Sequence, residues 1–341
     1  MHKSPRQRDW RVVHSIIGFA AVLMSNIIVF FACLACAIAT LALCYHARRV
    51  ATKLNLLDMP GARKFHARAT PLMGGLSLAL VVIPINVILV LLLSPVAWQP
   101  TLLLWLGCVI IIALLGLADD RHSLSANGRL IISMLVFCGA AIIDPAFNIR
   151  TLSFRYLDFG FGLTSDWFAV IFTTICCVGL VNAVNMADGK NGLVIGLCLG
   201  WLAFLSLSLP PVLLPLALIF IVSLIVLLLF NLNNLLFLGD GGSYGFSAAI
   251  ALLTIFAYNG SGPEPAGNMS AEQIVLLFCV PVLDAFRLAY RRIRSGRSPM
   301  SPDRDHLHHH LQDRFGWPLG LVIYLILAML PSILFWIWIL V

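Results

Sequence analysis

The chain has 341 residues, of which 60% are hydrophobic and only 11% are charged. A soluble globular protein carries roughly 25% charged residues, so 22 basic and 15 acidic side chains are too few for a soluble surface of this size. This composition excludes soluble α/β folds and disorder, and it predicts an all-α, polytopic membrane helix bundle. The net charge of +7 indicates attraction to anionic lipid or substrate, not to nucleic acid.

Apolar stretches of about 20 residues are long enough to cross a bilayer as helices. Ten stretches approach or exceed this length, at about 16–44, 72–93, 101–118, 129–144, 166–185, 192–209, 211–230, 243–258, 272–290 and 319–341. We therefore expect about ten transmembrane helices in a single domain, residues 1–341. Pro210 and Pro211 separate the sixth and seventh stretches, because proline cannot continue a helix.

Lys and Arg residues are unevenly distributed between the loops, and this distribution predicts the orientation. If the loop after the first span is cytoplasmic, that side holds 15 basic residues and the other side six. The N-terminal tail alone favours the opposite orientation, but the full count places both termini outside. The predicted cytoplasmic loops are about 45–71, 119–128, 186–191, 231–242 and 291–318.

Two adjacent carboxylates, Asp119 and Asp120, directly follow the third apolar stretch. At a membrane interface such a pair is costly without a cation, and a divalent metal ion is one natural partner. A solvated acidic pair that ends a helix explains the pattern equally well.

The end of the fifth predicted span is rich in amides. Asn182, Asn185 and Asp188 recur every three residues, which places them near one helical face. Gly189 and Gly192 then allow the backbone to turn back and approach a ligand. The alternative is a polar helix end followed by a glycine turn.

A second acid flanked by glycines, Asp240, precedes the eighth predicted span. Exposed N–H groups at a helix start favour phosphate, and the carboxylate is suited to Mg²⁺. Gly-Asp-Gly is also an ordinary turn sequence.

The loop after the ninth predicted span has the highest density of charged and histidine residues. Guanidinium groups fit phosphate oxygens bidentately. The histidines are interpreted as zinc ligands, as groups that bind phosphate or transfer protons, or as a polar surface turn. Leu307 and Leu311 suggest a helix that anchors them at the bilayer surface. The residues concerned are Arg291, Arg292, Arg294, Arg297, Arg304, His306, His308, His309 and His310.

Two other groups of charges need an interpretation. Lys64 lies in a basic stretch that leads to Gly74 and Gly75, and this stretch either receives an anionic group or anchors the loop on anionic lipid. Asp284 and Arg287 lie one turn apart within the ninth span, and we expect them to neutralise each other and face the bundle interior.

One face of the membrane thus collects acids, amides, arginines and histidines. This inventory favours metal-bridged phosphate chemistry, in which carboxylates hold Mg²⁺ and basic groups neutralise phosphoryl oxygens.

The same motifs, in the same order, resemble those of the polyprenyl-phosphate N-acetylhexosamine-1-phosphate transferases, and most closely the branch that uses UDP-GlcNAc. The resemblance extends from about Arg48 to Trp317. Asp119-Asp120 resembles the family's aspartate pair, and residues 182–193 its N-x-x-N-x-x-D-G-x-D-G-L signature. Residues 238–243 resemble its G-D-x-G-S element, and residues 306–309 its H-x-H-H loop.

The resemblance implies a Mg²⁺-dependent enzyme, with Mn²⁺ as a substitute, in the bacterial inner membrane. It would transfer N-acetylhexosamine-1-phosphate from a UDP-sugar to undecaprenyl phosphate, release UMP and begin a lipid-linked cell-envelope polysaccharide. Its active site would be cytoplasmic, and its partners would be the two substrates, membrane lipid and a second copy in a homodimer.

Residue roles follow from the same resemblance. It implies that Asp240, Asp119 and Asp188 are metal ligands, and that Asp119 and Asp120 orient or deprotonate the lipid phosphate. The implied substrate-binding residues are Lys64, Asn182, Asn185, Asp188, Asn191, Arg304, His306, His308 and His309.

Two positions depart from the family pattern. Ser123 stands where the UDP-GlcNAc members have a further acid, and Asn191 replaces the second Asp of the long signature. An amide donates as well as accepts, whereas a carboxylate only accepts. The sugar could therefore differ, and a UDP-deoxy-amino sugar or UDP-MurNAc-pentapeptide remains an alternative.

Two functions of other classes fit parts of the pattern. A lipid flippase or transporter would carry polar residues near the bilayer midplane and on both faces. A zinc hydrolase would use His306, His308 and His309, but the chain has no H-E-x-x-H signature.

Overall fold

The computed structural model describes residues 5–60, 68–163, 165–260, 269–299 and 305–340. Within these ranges the chain is almost entirely helical, and the prediction of an all-α polytopic bundle is confirmed. Its helices are α1 Pro5–Tyr45, α2 Ala47–Leu54, α3 Gly74–Ser77, α4 Ile83–Leu93, α5 Gln99–His122, α6 Ala126–Ile143, α7 Asp166–Ala187, α8 Leu193–Ser206, α9 Leu214–Leu232, α10 Gly239–Asn259, α11 Ala271–Arg294, α12 Leu307–Phe315 and α13 Trp317–Leu340. A π-helical segment, Leu78–Val82, joins α3 to α4.

Four short strands complete the described elements. β1 Leu57–Asp58 pairs antiparallel with β2 Thr70–Pro71, and β3 Thr151–Phe154 pairs antiparallel with β4 Phe159–Gly162. The β3–β4 hairpin was not predicted from the sequence.

Nine helical segments of the described chain are long and apolar enough to cross a membrane. The sixth predicted span, 192–209, differs, because α8 has only 14 residues. At about 1.5 Å per residue this helix is shorter than the hydrocarbon core of a bilayer. The helix ends at Ser206, four residues before the Pro210-Pro211 pair, and that pair prevents its continuation.

α10 lies at the centre of the bundle, and every residue from Gly241 to Tyr258 is buried. Its sequence is rich in Gly, Ala and Ser, which let neighbouring backbones approach closely. α5 lies against it so tightly that a Cβ atom on Gly116 would be 2.2 Å from the carbonyl oxygen of Asp240. By contrast, α1 and α13 expose large apolar side chains such as Phe30 and Trp338, as a lipid-facing surface requires.

The starts of α3 and α10 are joined by backbone hydrogen bonds. The N–H groups of Met73 and Gly74 donate to the carbonyl oxygens of Phe237 and Leu238, at 3.0 Å each. These bonds fix the segment before Asp240 at one end of the bundle. At the other end, the Tyr258 hydroxyl donates to the Thr151 carbonyl oxygen (2.8 Å) and thereby holds the β3–β4 hairpin.

Candidate active site

Asp120 caps the N-terminus of α10. Its Oδ1 accepts the N–H of Asp240 at 2.8 Å, and its Oδ2 accepts the N–H of Gly241 at 3.0 Å. The first N–H groups of a helix have no partner within the helix, and a negative charge is favoured there. These two N–H groups are therefore not open to phosphate, because the carboxylate of Asp120 accepts from both.

Asp119 faces a different partner, the guanidinium of Arg129 at the start of α6. Its Oδ1 accepts the N–H of Leu124 (2.7 Å), and its Oδ2 forms an ion pair with Nη1 of Arg129. The same Nη1 lies 3.5 Å from Oδ2 of Asp240. Two carboxylates that lie 121 positions apart in the chain thus converge on one cation.

Exposure distinguishes these two acids. The side chain of Asp119 is only 5% exposed, whereas that of Asp240 is 34% exposed. Asp240 is therefore the acid of this pair that an incoming ligand reaches more readily.

Arg129 is a site residue that the sequence analysis did not select. It was counted only as a basic residue at the edge of the fourth predicted span. A guanidinium group next to an apolar run is costly unless it is paired, and this signal would have marked Arg129 as the partner of an acid.

Asn185, on the last turn of α7, contacts the second oxygen of Asp240. Its Nδ2 donates to Asp240 Oδ1 at 2.8 Å and lies 3.0 Å from Ser243 Oγ. The structure thus brings Asn185 into the carboxylate cluster. Asn182 is engaged elsewhere, since its Nδ2 donates to the carbonyl oxygen of Val178 in its own helix, at 2.8 Å.

Asp188 follows the last residue of α7, at the edge of the same cluster. Burial, and to a smaller extent the negative charge of Asp120, raise the pKa of Asp188 to about 7. A nearby cation would favour the ionised form of this carboxyl group.

Asn191, one of the two departures from the family pattern, lies in a network of asparagines. Its Nδ2 donates to Asn234 Oδ1 at 2.7 Å, and its Oδ1 accepts from Asn231 Nδ2 at 3.3 Å. Its backbone oxygen accepts from the indole N–H of Trp317 at 2.9 Å. The side chain therefore links the α7–α8 turn to the end of α9 through both of its polar atoms.

The other departure, Ser123, ends α5. It has a left-handed backbone conformation, with φ of 51°, and its N–H donates to the carbonyl oxygen of Asp119 at 2.8 Å. This residue turns the chain away from α5 immediately after the aspartate pair.

The three histidines predicted for the site lie together at the start of α12. The rings of His306 and His308 are stacked, with centroids 5.3 Å apart, and those of His308 and His309 are 4.3 Å apart. The predicted helix is confirmed, and Leu307 and Leu311 pack against the apolar core.

His308 is almost fully enclosed. Only 1% of it is exposed, and neither ring nitrogen has a hydrogen-bond partner among the described residues. A Cβ atom on Gly189 would lie 2.6 Å from its Nε2, so glycine is required there for the ring to fit beside the α7–α8 turn. Burial, and to a smaller extent the neighbouring His309 and His306, lower the pKa of His308 to about 3, so the ring is neutral.

Two predicted substrate-binding residues, Lys64 and Arg304, lie outside the described residues. Among the described ones, no three Asp, Glu, His or Cys side chains are close enough to form a complete metal cage. The three acids predicted to share a metal ion, Asp119, Asp188 and Asp240, are therefore not gathered into one set. Mg²⁺ nevertheless needs only one or two carboxylates when substrate phosphates supply other ligands, and Asp240 with Asp119 fits that requirement.

Known proteins are similar to this chain over most of its length. The sequence profile of glycosyl transferase family 4 matches residues 102–258, which include Asp119, Asn185 and Asp240. An undecaprenyl-phosphate alpha-N-acetylglucosaminyl 1-phosphate transferase of Yersinia pestis is 33% identical over 284 residues, covering 79% of this chain and 73% of that protein.

Enzymes of the same name from other bacteria are similar over the same extent. The enzyme from Escherichia coli K12 is 29% identical, and the aligned region covers 78% of this chain and 71% of that enzyme. The enzyme from Salmonella typhi is 28% identical, and the aligned region covers 77% of this chain and 71% of that enzyme. The chain therefore belongs to glycosyl transferase family 4, the family of these polyprenyl-phosphate N-acetylhexosamine-1-phosphate transferases.

Proposed function

We propose that the protein transfers N-acetylhexosamine-1-phosphate, with GlcNAc-1-phosphate as the first candidate, from a UDP-sugar to undecaprenyl phosphate. A phosphate oxygen of the lipid would form a new bond to the sugar-linked phosphorus of the UDP-sugar. The bond from that phosphorus to the bridging oxygen breaks, and UMP leaves. The relatives' printed activity supports this reaction, since they are 28–33% identical to this chain.

One observation carries the proposal: Asp119, Asp240, Arg129 and Asn185, from four helices, meet at one end of the bundle. Phosphoryl transfer depends mainly on positioning and on the stabilisation of charge. A cluster that combines acceptors for a cation with a fixed guanidinium can provide both. Such a cluster at a helix end also suits a reaction between a water-soluble nucleotide and a lipid.

Mg²⁺ fits this donor set, with Asp240 as the principal ligand and Asp119 as the second. The ion would neutralise charge on the phosphoryl oxygens. Asn185 would hold the Asp240 carboxylate in orientation through the hydrogen bond to Oδ1. Asp120 would act indirectly, because its capping bonds position the first turn of α10, which carries Asp240.

The other predicted site residues would bind the substrates. His306, His308 and His309 would bind the pyrophosphate or the sugar, together with Arg304, and Lys64 would neutralise phosphate. Asp188 would support the nucleotide region. We further propose a cytoplasmic active site in the bacterial inner membrane, and a homodimer.

The test is release of UMP by the purified protein with polyprenyl phosphate, Mg²⁺ and a panel of UDP-sugars. Asp240→Asn should lower kcat by at least about 100-fold, the order of loss when a group that stabilises transition-state charge is removed. Asp166→Asn, an exposed acid at the start of α7, is the matched control. Near-normal turnover by Asp240→Asn would refute the metal assignment, and no UMP from any UDP-sugar would refute the proposed reaction.

A further inference from the structure

Asp284, just past the midpoint of α11, is a buried acid that the proposed reaction does not use. From the sequence we expected it to be neutralised by Arg287, one turn later. That pair does form, with Arg287 Nη2 at 2.8 Å from Asp284 Oδ1. The carboxylate, however, makes three further contacts, all with the start of α12.

These contacts fix both a side chain and a helix end. Asp284 Oδ2 lies 3.1 Å from Nδ1 of His306. The backbone N–H of Leu307, the first residue of α12, lies 3.2 Å from Oδ2 and 3.3 Å from Oδ1. One carboxylate thus satisfies a free N–H group of the helix start and holds the ring of the residue that precedes it.

The chemistry of the pair determines where the proton of His306 is. An ionised carboxylate only accepts hydrogen bonds, so Nδ1 must carry the hydrogen. In the neutral ring Nε2 is then the atom that remains able to accept, and in the charged ring it is a second donor. Asp284 therefore selects one tautomer and leaves Nε2 for another partner.

A second set of contacts joins α11 to the start of α12. Arg287 also donates to the backbone oxygen of Asp305, and Arg291 forms an ion pair with the Asp305 carboxylate. His310, one turn into α12, lies 2.8 Å from the other oxygen of that carboxylate. The Asp284 contact is therefore one of several polar contacts between α11 and the start of α12.

The position of His306 affects the other two histidines. His306 stacks on His308 with an angle of 18° between the rings, and His308 in turn lies against Gly189 in the α7–α8 turn. A rotated His306 ring would lose this stacking, and His308 has no hydrogen bond among the described residues to hold it instead.

We propose that Asp284 is a positioning residue for the transfer reaction: it locks His306 in the Nδ1–H tautomer and directs Nε2 toward the sugar-phosphate substrate. This inference rests on the proposed function for its effect on turnover. Its structural part, the tautomer of His306, is independent of that function.

The kinetic test is a double-mutant cycle with Asp284→Asn and His306→Ala, measured as UMP release by the purified full-length protein. Asp284→Asn should lower kcat/KM by about 10- to 100-fold, as loss of an outer partner of a functional histidine does. In the His306→Ala background the same change should have little further effect, since residues that act as one unit are non-additive. Losses that multiply in the double variant would overturn the proposal.

Matched variants separate this role from a loss of folding. Asp313→Asn is the same substitution at an exposed position of α12 and should retain wild-type kcat/KM. Asp284→Glu keeps the carboxylate and should recover part of the activity. If Asp284→Asn does not fold, Asp284→Glu replaces it in the cycle, and the same non-additivity is expected.

A spectroscopic measurement distinguishes failure of this inference from failure of the proposed function. In protein labelled with ¹⁵N-histidine, the signals of His306 are identified by their absence in His306→Ala. They should show a proton on Nδ1 in the wild type, whereas Asp284→Asn, whose amide donates as well as accepts, should shift the proton at least partly to Nε2. A wild-type Nε2–H tautomer would overturn the inference even if the transferase reaction were confirmed, and the predicted shift would support it even if no UDP-sugar were used.

Discussion

Arg129 balances the charge of two acids at once. The buried Asp119 forms an ion pair with it, and the more exposed Asp240 lies 3.5 Å from the same nitrogen atom. Because Asp119 lies in a nearly solvent-free position, its charge depends on this partner. Asp240 has a further partner in Asn185 and stays accessible, so the two acids have different tasks despite their common cation.

Replacement of Arg129 should therefore lower both the stability of the protein and its transferase activity. Arg129→Gln leaves the Asp119 carboxylate buried without a counter-charge, which costs roughly 3 kcal/mol. We expect a lower melting temperature and slower UMP release. Arg129→Lys should retain part of the stability and part of the UMP release, because an ammonium group can still pair with one carboxylate.

The control for this prediction is Arg121→Gln, which removes an exposed guanidinium near the same aspartates. Equal melting temperatures for Arg129→Gln and Arg121→Gln would contradict the role assigned to Arg129.

At the scale of elements, the packing of α5 against α10 determines the geometry of the site. Asp119 and Asp120 are on the last turns of α5, and Asp240 is on the first turn of α10. Gly116 permits the contact, because any larger residue would meet the backbone of Asp240. The distance between the aspartate pair and Asp240 thus depends on a glycine that contacts no substrate.

Gly116→Ala should accordingly push the two helices apart. Overpacking of a tight contact costs about 1–3 kcal/mol, and the capping bonds from Asp120 to α10 should weaken with it. We expect a lower melting temperature and a loss of UMP release. Gly107→Ala, on the same helix, meets no atom within 4 Å and should be neutral or stabilising by up to about 1 kcal/mol, because alanine favours a helix. The same effect from both substitutions would refute this account.

Two elements were not correctly predicted from the local sequence pattern. α8 was predicted as a full span from its apolar composition, yet it has only 14 residues. The β3–β4 hairpin has strands of four residues each and is held by Tyr258, which is 107 residues from Thr151. A short strand held by a distant side chain leaves no periodic signal in the local sequence.

For the whole molecule, the distribution of Lys and Arg predicts that the site end faces the cytoplasm. The loop after α11 and the β3–β4 hairpin, at opposite ends of the bundle, both expose residues suited to labelling. Ser295→Cys should react with a membrane-impermeant maleimide only in inverted vesicles, whereas Leu157→Cys should react in intact cells. The unsubstituted protein, with its nine native cysteines, provides the background. The reverse labelling pattern would show that the orientation is wrong.

The composition alone determined that this chain is a helix bundle in a membrane. Backbone N–H and C=O groups cannot remain unpaired in hydrocarbon, so long apolar stretches must form helices. The order of the polar motifs also predicts that Asp119, Asp120, Asn185, Asp240 and the histidines belong to one site, because they all fall at helix ends on the same predicted face.

Only the tertiary structure decided which of these residues touch. The caps and pairs that define the site join positions far apart in the chain: Asp120 and Asp240 are 120 residues apart, Arg129 and Asp240 are 111, and Asp284 and His306 are 22. Hydropathy and helical periodicity describe one segment at a time, and they do not specify which helix ends become neighbours. The packing of α10 against α5 and α7 made Asp120 a helix cap and brought Asp240 to the guanidinium of Arg129. The contact of α11 with the start of α12 made Asp284 the anchor of a histidine.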